Sequence, residues 1–447
     1  MSMQRVRVCL SVGCSDSTGG SGVSADARCF SALGVHAACV ITCATAQSSA
    51  GAEVFPLPAE AVSSQMRAVR EVFEVGAVKV GMVGSPEAAE AVGEELEGMR
   101  VVADPVLRSS AGHVLQDEEV VEALMEHVFP AATLITPNLQ EAEVLSGVRI
   151  RSEEDARRAL LRLGETAEGV MITGLEGAAD LLYWEGEVLR VPGAPRQGCF
   201  RGTGGLYAAA VAAELAKGME VPAAVRRAKE YLNRCIARAY VAGGMLVPDC
   251  CAELRREAER YPVVERLEEA MEELLQMEGF VELIPQVGCN FVYALPEAES
   301  KSDVAGLTGR IVRAGRRAVA AGSVRFGGSS HLSRVVLAAQ RVKPELRAVL
   351  NLRYSEEVVR AAERAGLRLS SFRREEEPPG VSTMEWGTLR ALESCGEADV
   401  VYDMGGHGKE AMVRVLGRSP EEVLQKVERL ILAMGHRQRD GGGAGLA

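Results

Sequence analysis

The chain has 447 residues, 47% of them hydrophobic and 25% charged, which excludes a single small module and a disordered or fibrous polymer. Its 62 acidic against 50 basic residues leave a net charge of −12, opposite to the basic footprint of most nucleic-acid binders, so an anionic ligand needs a local cationic site. Eleven scattered cysteines without a Cys-x-x-Cys pair, an N-terminus without a long apolar core, and apolar stretches well short of the roughly 18 residues of a membrane span give the expectation of a soluble cytoplasmic protein with reduced thiols.

From the N-terminus to about residue 245, short β-branched runs alternate with helical stretches. The runs are VRVCLSVG, CVITC, AVKVGMV, MRVVAD, ATLIT, GVMIT and DLLYW, with helical segments such as Glu87 to Glu97 and Glu153 to Leu163 between them. This βαβ rhythm predicts an α/β domain with a mostly parallel sheet, and the near-continuous apolar strands predict helices on both of its faces. The stretch GGMLVPDCCAELRREAERYP then breaks the rhythm with glycines, prolines and charges, and residues 246–262 are expected to be a linker. A second, smaller α/β domain is expected over 263–435. It opens with a helix that puts Val263, Leu267, Met271, Leu274 and Leu275 on one face, followed by a strand and turn in LIPQVGCNFVYALP. Residues 436–447 read as a disordered tail.

Ligands of parallel α/β sheets sit at the carboxyl ends of the strands, and the polar motifs fall there. Cys14 to Asp26 (CSDSTGGSGVSAD) follows the first strand and runs into a helix. Thr45 to Gln47, Gly81 to Ser85, Asp104 to Val106 and Thr136 to Glu143 each close a later strand. Arg201 to Gly205 (RGTGG) precedes an alanine-rich helix whose free amides and macrodipole suit an anion.

In this order, over residues 5 to 245, the series resembles the hydroxymethylpyrimidine and phosphomethylpyrimidine kinases of thiamine biosynthesis, which have the ribokinase-like fold. The resemblance implies that Asp26 and Gln47 hydrogen-bond the aminopyrimidine. It implies that Asn138 and Glu141, with Asp104, hold magnesium and the phosphates of ATP through water. Gly202, Thr203 and Gly204 are expected to form the anion hole for the transferred phosphoryl group. The chain departs from the pattern where the family ends its anion hole in a cysteine taken as the catalytic base, because that position is Gly205. Arg108, Ser109 and Ser110 stand where the family has a lysine after Asp-Pro-Val, and the lysine before its paired glycines is Thr173, leaving Arg201 or Arg108 to supply the missing charge.

In the C-terminal part, VRFGGSSHLSR and GGHGKE set glycine and serine beside Arg325, His331, Arg334 and Lys409, an apt environment for two phosphorylated ligands. From Val263 to Leu430 the chain resembles the archaeal type of thiamine phosphate synthase, which joins hydroxymethylpyrimidine diphosphate to thiazole phosphate. The residues on which that catalysis depends fall on Arg310, suited to neutralising the leaving diphosphate, and His331, whose imidazole changes charge near neutral pH. Lys409 and Arg325 are candidates for the thiazole phosphate.

The expectation is therefore a bifunctional transferase using ATP and Mg2+, with a kinase that prefers the monophosphate because it lacks its base. Its partners are small molecules, with no nucleic acid and no membrane, and a homo-oligomer is admitted. The rival is a synthase or ligand-sensing protein whose impaired kinase domain only binds pyrimidine.

Overall fold

The computed structural model describes residues 6–435 apart from 49–50, 110–111, 196, 379–382 and 407–408, so the expected tail at 436–447 lies outside the described residues. The chain divides into two compact units, Met1–Leu254 and Arg255–Ala447.

The first unit is built on nine strands: β1 (Val8–Asp16), β2 (His36–Gln47), β3 (Ala52–Pro56), β4 (Val75–Val80), β5 (Val101–Ala103), β6 (Leu134–Ile135), β7 (Val170–Ile172), β8 (Asp180–Trp184) and β9 (Glu187–Val191). Their order across the sheet is β3-β2-β1-β4-β5-β6-β7-β8-β9. The six strands from β2 to β7 run parallel, while β3, β8 and β9 are antiparallel additions at the edges. Alternate residues of one strand feed different cores, as the two-residue period requires. Leu10, Val12, Val78 and Val80 pack into one, and Cys9, Ala77, Val102 and Leu134 into the other. Each Val or Leu so buried contributes about 1.5–3 kcal/mol relative to exposure.

The helix Thr203–Ala216 is buried on all sides from Leu206 onward. It packs against the sheet and against the helix Val221–Ala237, and its small alanines let both neighbours approach closely. Two short strands, β10 (Tyr240–Ala242) and β11 (Met245–Val247), form a hairpin after it.

The expected linker at 246–262 is largely helical instead: Ala252–Gln276 is one helix with Pro262 inside it. Proline there removes one amide donor at a cost of about 3 kcal/mol, but the Glu, Arg, Leu and Ala residues before it favour helix. The turns after it are anchored by Val263, Leu267, Met271 and Leu274, all buried.

The second unit has a seven-stranded, mostly antiparallel sheet. Its members are β12 (Phe291–Ala294), β13 (Val304–Leu307), β16 (Val324–Phe326), β17 (Ala348–Arg353), β18 (Leu369–Ser371), β19 (Val400–Asp403) and β20 (Met412–Gly417), in the order β16-β13-β12-β17-β20-β19-β18. Between β13 and β16 the chain forms a separate hairpin, β14 (Arg310–Ala314) and β15 (Arg317–Ala321). Here too successive residues face opposite cores, Phe291 and Tyr293 one, Val292 and Ala294 the other.

Candidate active sites

A cavity of about 660 Å³ opens at the carboxyl ends of the first unit's strands. Gly202 turns the chain into the helix Thr203–Ala216 with φ +76°, and a Cβ there would lie 2.2 Å from the Gly20 carbonyl oxygen, so only glycine fits. The amides of the first helical turn are thereby presented to the cavity, which Gly202, Thr203 and Gly204 line.

Asn138 caps the helix Leu139–Ser146 in a reciprocal box: its Oδ1 accepts from the Glu141 amide at 3.0 Å, and Glu141 Oε2 accepts from the Asn138 amide at 3.0 Å. Glu141 Oε1 accepts from the Leu107 amide at 3.1 Å, tying the loop after β5 to this cap. Asp104 lies beside them, 5% exposed, with its Oδ2 lacking any hydrogen-bond donor. Burial pushes Asp104 up to about 7, the Lys79 charge opposing this and the charges of Glu141 and Asp26 adding to it. Burial likewise raises Glu141 against the backbone amides that favour its charged form. An orphaned buried carboxylate oxygen beside a second carboxylate suits a hard divalent cation held partly through water, so these residues fit magnesium.

Asp26 sits at 2% exposure beneath the cavity and does not line it. Its Oδ2 accepts from Ser11 Oγ at 2.6 Å and pairs with Lys79 Nζ at 3.0 Å. Lys79 is the residue that the sequence analysis missed. Placed mid-run in AVKVGMV, it reads as a strand residue, yet it is buried, lines the cavity and stays charged: burial lowers its pKa but Asp26 and Asp104 raise it further. A Cβ built on Gly205 would lie 3.7 Å from Asp104 Oδ2 and 3.9 Å from Lys79 Nζ, with no closer neighbour, so the space of the absent cysteine is open beside these two groups.

Arg201 does not stand free to replace a missing lysine. Its Nη2 donates to Asp16 Oδ2 at 3.1 Å and to Gln47 Oε1 at 2.9 Å. Burial raises Asp16, but hydrogen bonds from Ser21, Thr18 and Arg201 outweigh it and hold the carboxylate below its usual range. Gln47, which lines the cavity, also donates through Nε2 to Thr45 Oγ1 at 3.2 Å, so its carboxamide is fixed in one orientation. Arg108 lines the cavity from the loop after β5, its Nη1 donating to the Gly112 carbonyl at 3.2 Å.

The second unit holds a cavity of about 800 Å³. Two buried asparagines shape its wall. Asn290 accepts from the Leu307 amide at 3.2 Å and donates to the carbonyls of Leu307 and Gly309, while Asn351 Oδ1 accepts from the Asn290 amide at 2.7 Å. Arg310 follows Gly309 directly, and this brace sets its position at the cavity. His331, in the first turn of the helix Ser330–Val342, and Arg334, at the start of its second, also line it. Lys409 lines the cavity as well, its Nζ donating to Thr383 Oγ1 at 3.4 Å, whereas His407 and Gly408 of the same motif lie outside the described residues. Arg325 is exposed on edge strand β16, between buried Val324 and half-buried Phe326, and does not line the cavity. Period-two alternation turned it outward.

Two further arginines, scattered in sequence, converge on this cavity. Arg374 Nε donates to Asp403 Oδ1 at 2.6 Å, and Arg414 Nη1 lies 2.9 Å from Asp403 Oδ2. The lining carries five cationic side chains, Arg310, Arg334, Arg374, Lys409 and Arg414, against Glu377 and Glu410. With Asp403 counted, the described residues leave an excess of two positive charges in a chain of net charge −12. The protein packed around the His331 ring, then the charges of Arg414, Arg310, Arg374 and Arg334, bring its pKa down to about 4. His331 is therefore neutral at neutral pH, contrary to the expectation of an imidazole poised to change charge there.

Comparison with known proteins follows the same division. The profile of the phosphomethylpyrimidine kinase family matches residues 16–248, and that of thiamine-phosphate synthase ThiN matches residues 266–429. A bifunctional thiamine biosynthesis protein of Methanocaldococcus jannaschii is 34% identical over 431 residues, spanning 94% of this chain and 97% of its own. A hydroxymethylpyrimidine/phosphomethylpyrimidine kinase of Rhizobium meliloti is 41% identical over 242 residues, 52% of this chain and 91% of its own. Among solved structures, the Bacillus subtilis pyridoxal kinase in its ADP complex aligns at 30% identity with a TM-score of 0.53, covering 56% of this chain and 99% of that one. No helix among the described residues is long and apolar enough to cross a membrane.

Proposed function

The chain belongs to the phosphomethylpyrimidine kinase family, in the bifunctional form that carries a thiamine-phosphate synthase behind the kinase, and from that premise we propose that its kinase cavity prefers hydroxymethylpyrimidine monophosphate to the free alcohol. Both units are transferases of thiamine biosynthesis, the first with a ribokinase-like fold and ATP as phosphoryl donor.

The observation that carries the preference is the open space at Gly205. Phosphorylating an alcohol requires removal of its proton, a step in which a positioned base contributes about 10²- to 10⁴-fold, and glycine offers none. A phosphate monoester already carries about −1.5 to −2 charges at pH 7, so the second phosphorylation needs no such base. The space left at Gly205 adjoins both the Asp104 carboxylate and Lys79 Nζ, so the acceptor approaches without a side chain of position 205 in its way. In this reading Gln47, locked by Arg201 and Thr45, hydrogen-bonds the aminopyrimidine, while Asp26 acts one layer below by holding Lys79. The amides of Gly202, Thr203 and Gly204 receive the transferred phosphoryl group. Asp104 and Glu141, with Asn138 fixing the cap, would hold magnesium, which when bound would supply charge neutralisation on the phosphates.

In the synthase cavity, diphosphate departs from the pyrimidine methylene carbon as the thiazole nitrogen bonds to that carbon. Arg310 offsets the charge growing on the leaving group, and His331 enters as a neutral hydrogen-bonding group whose proton affinity rises once the anion is bound. A cytoplasmic setting completes the reading, in keeping with eleven free thiols.

Steady-state kinetics of the full chain on both acceptors test the kinase preference. We expect higher kcat/KM for the monophosphate, and Gly205→Cys to raise the rate on the alcohol about 100-fold relative to the monophosphate. Equal or better wild-type efficiency with the alcohol overturns the preference.

A further inference from the structure

Arg414 is 1% exposed, the largest fully buried side chain among the described residues, and it lines the synthase cavity. A buried guanidinium usually has its donors satisfied, since leaving one unpaired costs about 1–3 kcal/mol or more. Arg414 does not: Nε and Nη1 have no hydrogen-bond acceptor. The carboxylate of Asp403 is close, at 2.9 Å, but out of line, so that pair is an electrostatic contact without a directed bond. Asp403 is already shared. Its Oδ1 accepts from Arg374 Nε at 2.6 Å and from the Gly405 amide at 2.9 Å. Two guanidiniums thus hang on one carboxylate at the cavity wall, with one positive charge and directed donors left over.

We propose that Arg374 and Arg414, yoked by Asp403, form the subsite that takes the monoester phosphate of the thiazole substrate. This rests on the synthase reading and extends it to a second set of residues. A brace serving the core alone would turn its donors toward strong protein acceptors; here Arg374 Nη2 reaches the Glu410 carbonyl at 3.4 Å and Arg414 Nη2 the Met384 sulfur at 3.2 Å, while Nε and Nη1 of Arg414, buried on a side chain that lines the cavity, have no acceptor. A phosphate monoester, with about −1.5 to −2 charges and three acceptor oxygens, matches what the yoke lacks.

The division between the two phosphorylated substrates follows from burial and from the order of release. Arg310 is exposed at the cavity, and His331 keeps open surface there although protein packs against its ring, a setting for a diphosphate that must depart once its bond breaks. Arg414 is buried and Arg374 is partly so, a setting for the phosphate that remains on the product. Asp403 is the positioning residue, aligning both forks without touching the ligand.

The test is the synthase reaction of the full chain, with each substrate varied in turn. Arg374→Ala is expected to raise KM for thiazole phosphate about tenfold or more while KM for hydroxymethylpyrimidine diphosphate stays within about twofold, with partial recovery in Arg374→Lys. The preference for thiazole phosphate over the unphosphorylated thiazole alcohol should fall by about the same factor, a readout that a purely structural brace would not move. Arg414→Lys, which keeps a buried cation, is expected to shift the same KM if it folds, and Arg374→Ala decides the matter if it does not. An active wild type whose thiazole KM is unmoved, or whose diphosphate KM alone rises, overturns the subsite. Inactivity of the wild type removes the synthase reading and the proposal together.

Discussion

The two cavities dispose of their charges by opposite means. In the kinase unit two of the cations that line the cavity are neutralised in place, Lys79 by Asp26 and Arg201 by Asp16, Arg108 donates to a backbone carbonyl, and the backbone amides of one helix start face the cavity. In the synthase unit guanidiniums gather from β14, the helix Ser330–Val342, the turn after β18 and β20, in excess of their carboxylates. The difference separates charge that maintains structure from charge held in reserve for a ligand. Removing a cation should unfold the first and silence the second.

The sharpest break of this contrast is Lys79→Met. It strands the Asp26 carboxylate at 2% exposure and should destabilise the kinase unit by about 3–5 kcal/mol, read by calorimetry of the full chain as a fall in one transition. Adding Asp26→Asn should restore much of the loss; a single variant as stable as wild type would show that the pair is not what holds this floor. In the synthase unit, Arg310→Ala and His331→Ala should each lower turnover about 100-fold or more with the unfolding transition in place. Arg325→Ala, on the outer face of an edge strand, should stay within about twofold. A wild-type rate in both cavity variants would move Arg310 and His331 to a structural role.

The smallest effect concerns protons. The His331 imidazole, with its folded pKa near 4 and an ordinary value near 6.5, binds fewer protons in the fold than in the unfolded chain. Its contribution to stability is full above pH 6.5 and is lost as pH falls from there toward 4. Proton resonances of its ring, assigned with the His331→Ala variant, should stay flat from pH 8 to about 5 and begin to titrate higher when inorganic pyrophosphate is added. Titration near 6.5 in the empty protein would mean that the surrounding arginines do not act on it.

Much of this was legible in the sequence where signals are local. The parallel strands of the first unit announce themselves by continuous apolar runs, and the Asn138 to Glu141 spacing fixes a capping box as well as a site. Edge strands β3 and β9 were missed because their exposed, alternating residues imitate surface loop. Pro262 invited a linker where burial of Val263, Leu267 and Met271 outweighs its cost. Lys79 was hidden in an apolar run, and Arg374 and Arg414 in charged or strand context. What brings them to a cavity is sheet order, and β18 and β20 become neighbours of β19 only in three dimensions. Gly405, by contrast, carries φ +79° in a motif already visible as glycine-rich.

The helix Thr203–Ala216 has a consequence for how this enzyme can change over generations. From Leu206 onward it is sealed among small residues, so a larger side chain in that stretch would shift the axis and carry the anion hole with it. Drift is thus confined to the mouth, at positions 201 and 205, where side chains meet open cavity or polar neighbours. Position 205 is where the sequence departs from the cysteine of the pattern it resembles. If Gly205 sets the acceptor as proposed, the same rigidity channels variation into the choice of acceptor.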